Sequence, residues 1–256
     1  MVVPNDRREH RDWLTSFATL PDNGLAVDLG CGRGDDLRAL AARHQGPEMR
    51  FLGVDSSADS IAAAAAVTPD TRVSFRRAAL ESELPFDTGA VDLVFSHNLV
   101  ECLPDPSVFA HEVARILRDD GQMIIAHWDW ETQVWDGGDK ALVRRLVTAY
   151  AEWQQAWMAH ADGWMGRRLW GVFNPTGAFD GAIHARVLTN TAFEAPWFGH
   201  ENARALGGLT RRGRATADDH ERFMAEQATL AAEGRYFYGL TGFAFVGRRR
   251  ARQRGS

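Results

Sequence analysis

The chain has 256 residues, 45% of them hydrophobic and 25% charged, with a formal net charge of −5. That length and apolar content suit one sizeable domain with an insertion, large enough to bury a full core. The modest negative charge supplies no general attraction to nucleic acid or to an anionic membrane, and the basic run at 248–254 is read as a solvated terminus.

Two cysteines, Cys31 and Cys102, stand outside any C-x-x-C or Cys/His cluster, which argues against a disulfide framework and against a structural zinc site. No metal is expected. The first ten residues are charged and polar with no apolar signal core, and the longest apolar stretch, 61–67, is too short to span a bilayer. A soluble cytoplasmic protein is expected, with neither nucleic acid nor membrane as partner.

Residues 6–20 place Trp13, Leu14, Phe17 and Leu20 at partly helical spacing until Pro21 and Asn23-Gly24 stop them. A helix packed near the first strand is expected. An apolar run at 25–29 then ends in Gly30, Gly32 and Gly34, and Leu37, Leu40 and Ala41 continue at helical spacing. Strand, tight glycine turn and helix follow one another. Glycines there let the backbone take positive φ and let a ligand approach the main chain, while helix N-terminal amides face it. A dinucleotide fingerprint would have a third small residue where this chain has Asp35, and Asp28 sits just before the turn.

The pattern Asp28-x-Gly30-x-Gly32-x-Gly34 resembles motif I of the class I S-adenosylmethionine-dependent methyltransferases. A second strand at 49–54 ends in Asp55, 21 residues after Gly34, where a carboxylate can accept both ribose hydroxyls of a nucleoside. Ser56, Ser57 and Asp59 supply capping chemistry for the alanine-rich helix that follows. A third strand at 73–78 precedes Leu84-Pro85-Phe86, which is similar to a stretch found in many small-molecule methyltransferases. The family usually places an Asp near the adenine amino group a few residues earlier. This chain has Ala78, Ala79 and Leu80 instead, leaving backbone groups around Ala79, Leu80 and Glu81 for the adenine edge.

The fourth strand, 90–96, delivers His97 and Asn98 to the mouth of the sheet. Asp105 and Pro106 start a helix with Phe109, Val113, Ile116 and Leu117 on its apolar face, the turn Asp119-Asp120-Gly121 ends it, and 122–126 is the fifth strand. Beyond His127 the composition changes, since seven of nine tryptophans fall between 128 and 170. Leu142, Leu146, Tyr150, Trp153, Trp157 and Trp164 recur at helical spacing, and Gly163, Gly166 and Gly171 break the pattern. Strand-like segments at 182–193 and 236–247 flank an arginine-rich loop at 204–214 and a helix over 218–233.

The resemblance covers 24–127 in motifs and the remainder in element order. It implies an α/β fold, a doubly wound, seven-stranded, mostly parallel sheet with an antiparallel last strand, and an aromatic-rich helical insertion after strand five. One domain over 1–256 is expected, with 128–181 as a lid or acceptor-binding region. S-adenosylmethionine is the implied cofactor, bound by Asp28, Gly30, Cys31, Gly32, Gly34, Asp55, Ser56, Ala79, Leu80, Glu81, His97 and Asn98. Arg11 and Trp13 are further contacts if the first helix covers the cofactor. The methyl group would pass by in-line displacement to an O, N or C nucleophile of a small aromatic or amine-bearing metabolite, in a biosynthetic role.

Indole faces stack on planar rings and attract cations, so Trp128, Trp130, Trp135, Trp153, Trp157 and Trp164 are the candidate acceptor-binding residues. They serve equally well as core between an inserted helix and the sheet. His97, His127 and Asp129 are the candidate bases at strand ends, with His160, His184 and His200 available if loops fold back; a neutral amine acceptor needs none. The arginines at 204, 211, 212 and 214 are candidates for a carboxylate or phosphate of the acceptor. Two alternatives are a nicotinamide-dependent oxidoreductase and a protein that retains the nucleoside pocket without catalysis.

Overall fold

A computed structural model describes residues 6–251. Eight strands make one sheet: β1 (Asn23–Leu29), β2 (Glu48–Asp55), β3 (Val73–Arg77), β4 (Val91–His97), β5 (Leu117–Trp128), β6 (Val134–Trp135), β7 (Phe179–Asn190) and β8 (Tyr238–Arg249). Their order is β3-β2-β1-β4-β5-β8-β6, with β7 on the other edge of β8. The first five are parallel, β8 runs antiparallel to β5, and β7 runs antiparallel to β8. The eighth strand, absent from the sequence expectation, is the two-residue β6, which prolongs the β5 edge by pairing with Gly239 and Tyr238.

Alternation along the strands feeds two cores. Val27, Leu29, Val94, Met123 and Ile125 point to one face, where Phe109 and Val113 of α4 (Pro106–Ile116) and Leu169 and Phe173 of α6 (Met165–Phe173) cover them. Ala26, Leu93, Phe95, Ile124 and Ala126 point to the other, against Leu14 of α1 (Asp6–Thr15) and Leu37 and Leu40 of α2 (Asp35–Arg43). A third cluster lies beyond the end of β5, where α5 (Lys140–Ala151), α7 (Phe198–Ala205) and α8 (Ala217–Ala232) pack around Trp135, Phe223, Tyr238 and Leu240.

Helix starts follow local chemistry. Ser57 Oγ accepts from Ser60 N–H at the head of α3 (Ala58–Ala66), Asp105 accepts from Ser107 and Val108 ahead of Pro106, and Thr216 and Asp219 form a capping box on α8. Helix α4 ends at Ile116 because Leu117 already pairs with Val91; the Asp119-Asp120-Gly121 stretch is an irregularity inside β5, with Asp120 at φ 62°.

The tryptophan block differs from its periodicity. Helix α5 ends at Ala151, and 152–164 is not helical, so Trp153, Trp157 and Trp164 leave the line set by Leu142 and Leu146. Gly166 and Gly171, expected as breakers, lie within α6. At Gly166 a Cβ would stand 3.0 Å from the Cβ and backbone nitrogen of Asp129, so close packing on the end of β5 overrides the weak helix propensity of glycine. The basic run is not a free tail at its start, for Arg248 donates to Asp120 O and Arg249 to Ala114 O from within β8; Arg252 and Arg254 lie outside the described residues.

Helix α1 is fastened across the mouth of the sheet by one carboxylate. Asp6 Oδ2 accepts from Asn190 Nδ2 and from Phe198 N–H, each at 2.8 Å and each buried. Asp6→Ala strands both donors and is expected to lower stability by about 2 kcal/mol, read as a shift in the urea midpoint; the exposed Asp12→Ala serves as control. An unshifted midpoint would show that α1 is held by other contacts.

Candidate active site

The strand order reverses between β1 and β4, and a groove opens at their carboxyl ends. One half, a cleft of about 450 Å³, is lined by Gly30, Asp55, Ser56, Ser57, Leu80, Glu81, Leu99 and Leu103 among others. The other half, about 300 Å³, runs over Gly30, Cys31 and Gly32 toward Arg7, His10, Arg11, Asp36 and His97. Gly30 and Asn98 line both.

Local bonding makes the floor rigid. Gly30 and Cys31 N–H donate to Val54 O, and Asp55 receives Gly32 N–H on Oδ2 at 2.8 Å and Ser57 N–H on Oδ1 at 2.9 Å. Each carboxylate oxygen keeps a further lone-pair direction for a hydroxyl donor. Gly30 turns at φ 74°, and a Cβ there would lie 2.9 Å from Leu99 Cδ1, so only bare backbone fits. An apolar slot beside a carboxylate, followed by bare glycine backbone and guanidinium groups, suits an adenosyl group that carries an amino-acid tail.

The tail end of the groove is charged. Asp36 receives Arg11 Nε at 2.7 Å and meets His97 Nδ1 at 3.0 Å; burial opposes its ionisation, but His97 and Arg11 prevail and hold its carboxyl well below the usual range. His10 stacks on Trp128 with ring centroids 3.9 Å apart, and burial drives its pKa down to about 2, the neighbouring His97 adding to the effect.

A second chamber, about 780 Å³, opens beside the groove and shares Asn98, Cys102 and Trp157 with it. Its walls include Trp130, Tyr150, Trp153, Met158 and Glu101, with Arg204, Arg211 and His220 further along. Burial, with Asp162 adding and the Trp130 N–H opposing, pushes the Glu101 carboxyl up to about 8.

Residues 27–125 match a family described as a methyltransferase domain. A trans-aconitate 2-methyltransferase of Azoarcus sp. is 36% identical over 118 residues, which are 46% of this chain and 44% of that protein. The chain thus spans less than half the length of that relative. Solved structures superpose over nearly the whole chain. The YcgJ protein of Bacillus subtilis does so with TM-score 0.60 at 16% identity, over 95% of this chain and all of that one. A geranyl diphosphate methyltransferase in complex with S-adenosylmethionine gives TM-score 0.53 at 16% identity, over 94% and 84%. Residues 27–125 thus resemble a methyltransferase domain, and the chain shares the fold of these solved structures.

The expected cofactor residues divide. Gly30, Cys31, Gly32, Asp55, Ser56, Leu80, Glu81, His97 and Asn98 line the groove. Asp28, Gly34 and Ala79 do not. Asp28 is wholly buried, its carboxyl pushed well above the ordinary range by lost hydration and by the charges of Asp36 and Asp55. Gly34 makes room for the Phe75 ring, 2.6 Å from where a Cβ would stand, and Ala79 faces solvent. The Leu80 N–H already bonds the Glu81 carboxylate at 3.0 Å. Leu84-Pro85-Phe86 is a structural clamp, since Leu84 N–H donates to Glu112 and Arg115 holds the Leu84 and Phe86 carbonyls.

Three candidate bases are corrected by their partners. Asp129 is fully buried with both oxygens held by Arg167 at 2.6 Å, so it reaches neither cavity. His127 is buried; it bonds Trp128 O through Nδ1 at 2.7 Å, and burial lowers its pKa to about 3. His97 is tied to Asp36 and lines only the tail end of the groove. His160, His184 and His200 line neither cavity.

Of the tryptophans, Trp130, Trp153 and Trp157 line the chamber, while Trp128 lines the tail of the groove. Trp135 is core, packed on Phe223 and Tyr238, and Trp164 lies on the surface beneath Arg167. Trp13 lines neither the groove nor the chamber, whereas Arg11 lines the groove. Residues that sequence reasoning passed over include His10, Asp36, Leu99, Leu103 and Glu101; Asp36 is signalled only by proximity to Gly34, Leu99, Glu101 and Leu103 only by proximity to the end of β4, and His10 by neither. Arg167→Ala leaves the Asp129 carboxylate buried and unpaired, and should cost about 3 kcal/mol in a urea titration. A loss below 0.5 kcal/mol would mean that Asp129 is satisfied without Arg167.

Proposed function

We propose that this protein transfers the methyl group of S-adenosylmethionine to a small-molecule acceptor held in the aromatic chamber, as a cytoplasmic biosynthetic enzyme. The observation that carries this is the adjacency of groove and chamber, whose linings share Asn98, Cys102 and Trp157. Asp55 receives the ribose hydroxyls, Leu80, Leu99 and Leu103 enclose the adenine, Gly30 and Gly32 present bare backbone to the tail, and Arg11 meets its carboxylate. When bound, the cofactor supplies an electrophilic methyl group on a positive sulfonium. The chain's own contribution is alignment of the acceptor with that methyl and exclusion of water, worth several kcal/mol of barrier. Residues 128–181 supply one wall of the chamber and the 198–232 segment another, together acting as the acceptor-binding region. The Azoarcus relative is named for a small organic acid, in keeping with an acceptor of this size.

Calorimetry with S-adenosylmethionine, S-adenosylhomocysteine, NAD and NADP tests the donor half. The adenosyl compounds are expected to bind and the nicotinamides not; the reverse result would refute methyl transfer. Asp55→Ala is expected to weaken S-adenosylhomocysteine binding more than tenfold, since it removes hydrogen bonds to a charged group. Unchanged affinity would remove Asp55 from the ribose site. A labelled-methyl assay over aromatic, amine and carboxylate metabolites then tests turnover.

A further inference from the structure

The chamber contains a buried acid with no cation to balance it. Glu101 Oε1 lies 3.4 Å from Trp130 Nε1, which donates to it, and 3.6 Å from His127 Nε2. Oε2 has no protein donor among the described residues. His127 supplies no charge. Its Nδ1 bonds a carbonyl, which only accepts, so Nδ1 carries the proton and Nε2 presents a lone pair that has no hydrogen-bond partner. Around this carboxyl stand the aromatic walls Trp130, Tyr150, Trp153 and Trp157, whose faces attract cations. Arg204 and Arg211 line the same chamber, and neither has a carboxylate within 4.0 Å among the described residues.

We infer that the acceptor is a zwitterion whose amine contacts Glu101 and whose anionic group, carboxylate or phosphate, is held by Arg204 and Arg211. The inference rests on the methyl-transfer function proposed above. Glu101 adjoins Cys102, which lines groove and chamber alike, so the amine stands where the two meet. Glu101 then takes one proton from the ammonium. The freed nitrogen lone pair forms the N–C bond as the C–S pair returns to sulfur, the methylated nitrogen keeps its positive charge, and Glu101 is left protonated as in the empty chamber, the one proton of the net reaction having left when the amine bound.

Proton linkage gives this a distinctive signature. In the empty chamber the carboxyl, at about 8, is largely protonated at pH 7. The groups facing it are neutral His127, Tyr150 and Cys102, the latter two pushed up to about 12 by burial, and Asp162, which Arg168 pairs at 2.7 Å; Arg204, Arg211 and His220 lie further along the chamber. An ammonium beside Glu101 favours its ionised form, so amine binding at pH 7 releases close to one proton.

The test is calorimetry on the full chain saturated with S-adenosylhomocysteine, at pH 7 in phosphate and in Tris, whose different ionisation heats report proton release. Probes are 4-(aminomethyl)benzoate, its phosphonate analogue, benzylamine and 4-methylbenzoate. Both zwitterions are expected to bind at least tenfold tighter than either singly charged probe, releasing close to one proton, and the tighter of the two identifies carboxylate or phosphate. E101Q should bind the amines at least tenfold more weakly without proton release, while 4-methylbenzoate and S-adenosylhomocysteine bind as before. R204A/R211A should lose the advantage of the zwitterions and leave benzylamine unaffected. Amine binding or proton release retained in E101Q, or no amine binding to the saturated protein, would overturn the inference alone. Failure of the unmodified chain to bind S-adenosylhomocysteine would instead overturn the methyl-transfer function.

Discussion

The site depends on the divergence of the chain at the carboxyl ends of β1 and β4. After β1 the backbone passes to α2, which packs on the face containing Ala26 and Phe95; after β4 it passes to α4, which packs on the opposite face over Val27 and Val94. Two neighbouring strands whose exits leave on opposite sides cannot fill the space between them, and a crevice results. Asn98 governs its shape. Its backbone turns at φ 60°, its N–H bonds Ala126 O, and its Oδ1 takes the Trp128 N–H at 3.0 Å, so it joins the ends of β4 and β5 while lining both halves of the groove and the chamber.

Around this crevice the domain buries several carboxyls and treats each differently. Arg167 pairs Asp129 in place, while Arg11 and His97 bond Asp36 and hold its carboxyl well below the usual range. Asp28 receives no such cation, and its neighbours Asp36 and Asp55 repel its charge, which favours the neutral form. Glu101 shares that lack of a cation but, unlike Asp28, lines a cavity. A buried acid next to open space responds to whatever charge enters, and this sets it apart from the carboxyls already balanced by protein.

The aromatic block shows how one composition serves several ends. Trp135 fills core on the extension of β8, Trp164 shields a surface arginine pair, and Trp128 covers His10 beside the groove. Only Trp130, Trp153 and Trp157 face the chamber, and they do so because the chain leaves α5 at Ala151 and winds irregularly through 152–164. Trp153 seats against Gly208, where any side chain would collide with its ring, so a distant glycine helps to decide which tryptophan lines the cavity.

Alternation and glycine punctuation made the five parallel strands, the glycine turn and Asp55 legible in the residues alone, because strand period, positive φ and an acid at a strand end are local properties. The antiparallel closure by β7 and β8 followed from element order. What tertiary structure decided was partnership: that Arg167 pairs Asp129, that Asp28 and Gly34 support the groove without lining it, and that Glu101 lines one cavity with three tryptophans 29 to 56 residues away. Ionisation and cavity lining are set by groups distant in sequence and close in space, so no window of sequence contains them. By itself the sequence determined the fold class and the residues at the ends of β1 and β2 that line the groove; the chamber exists only once the segments after β5 have packed against the end of β4.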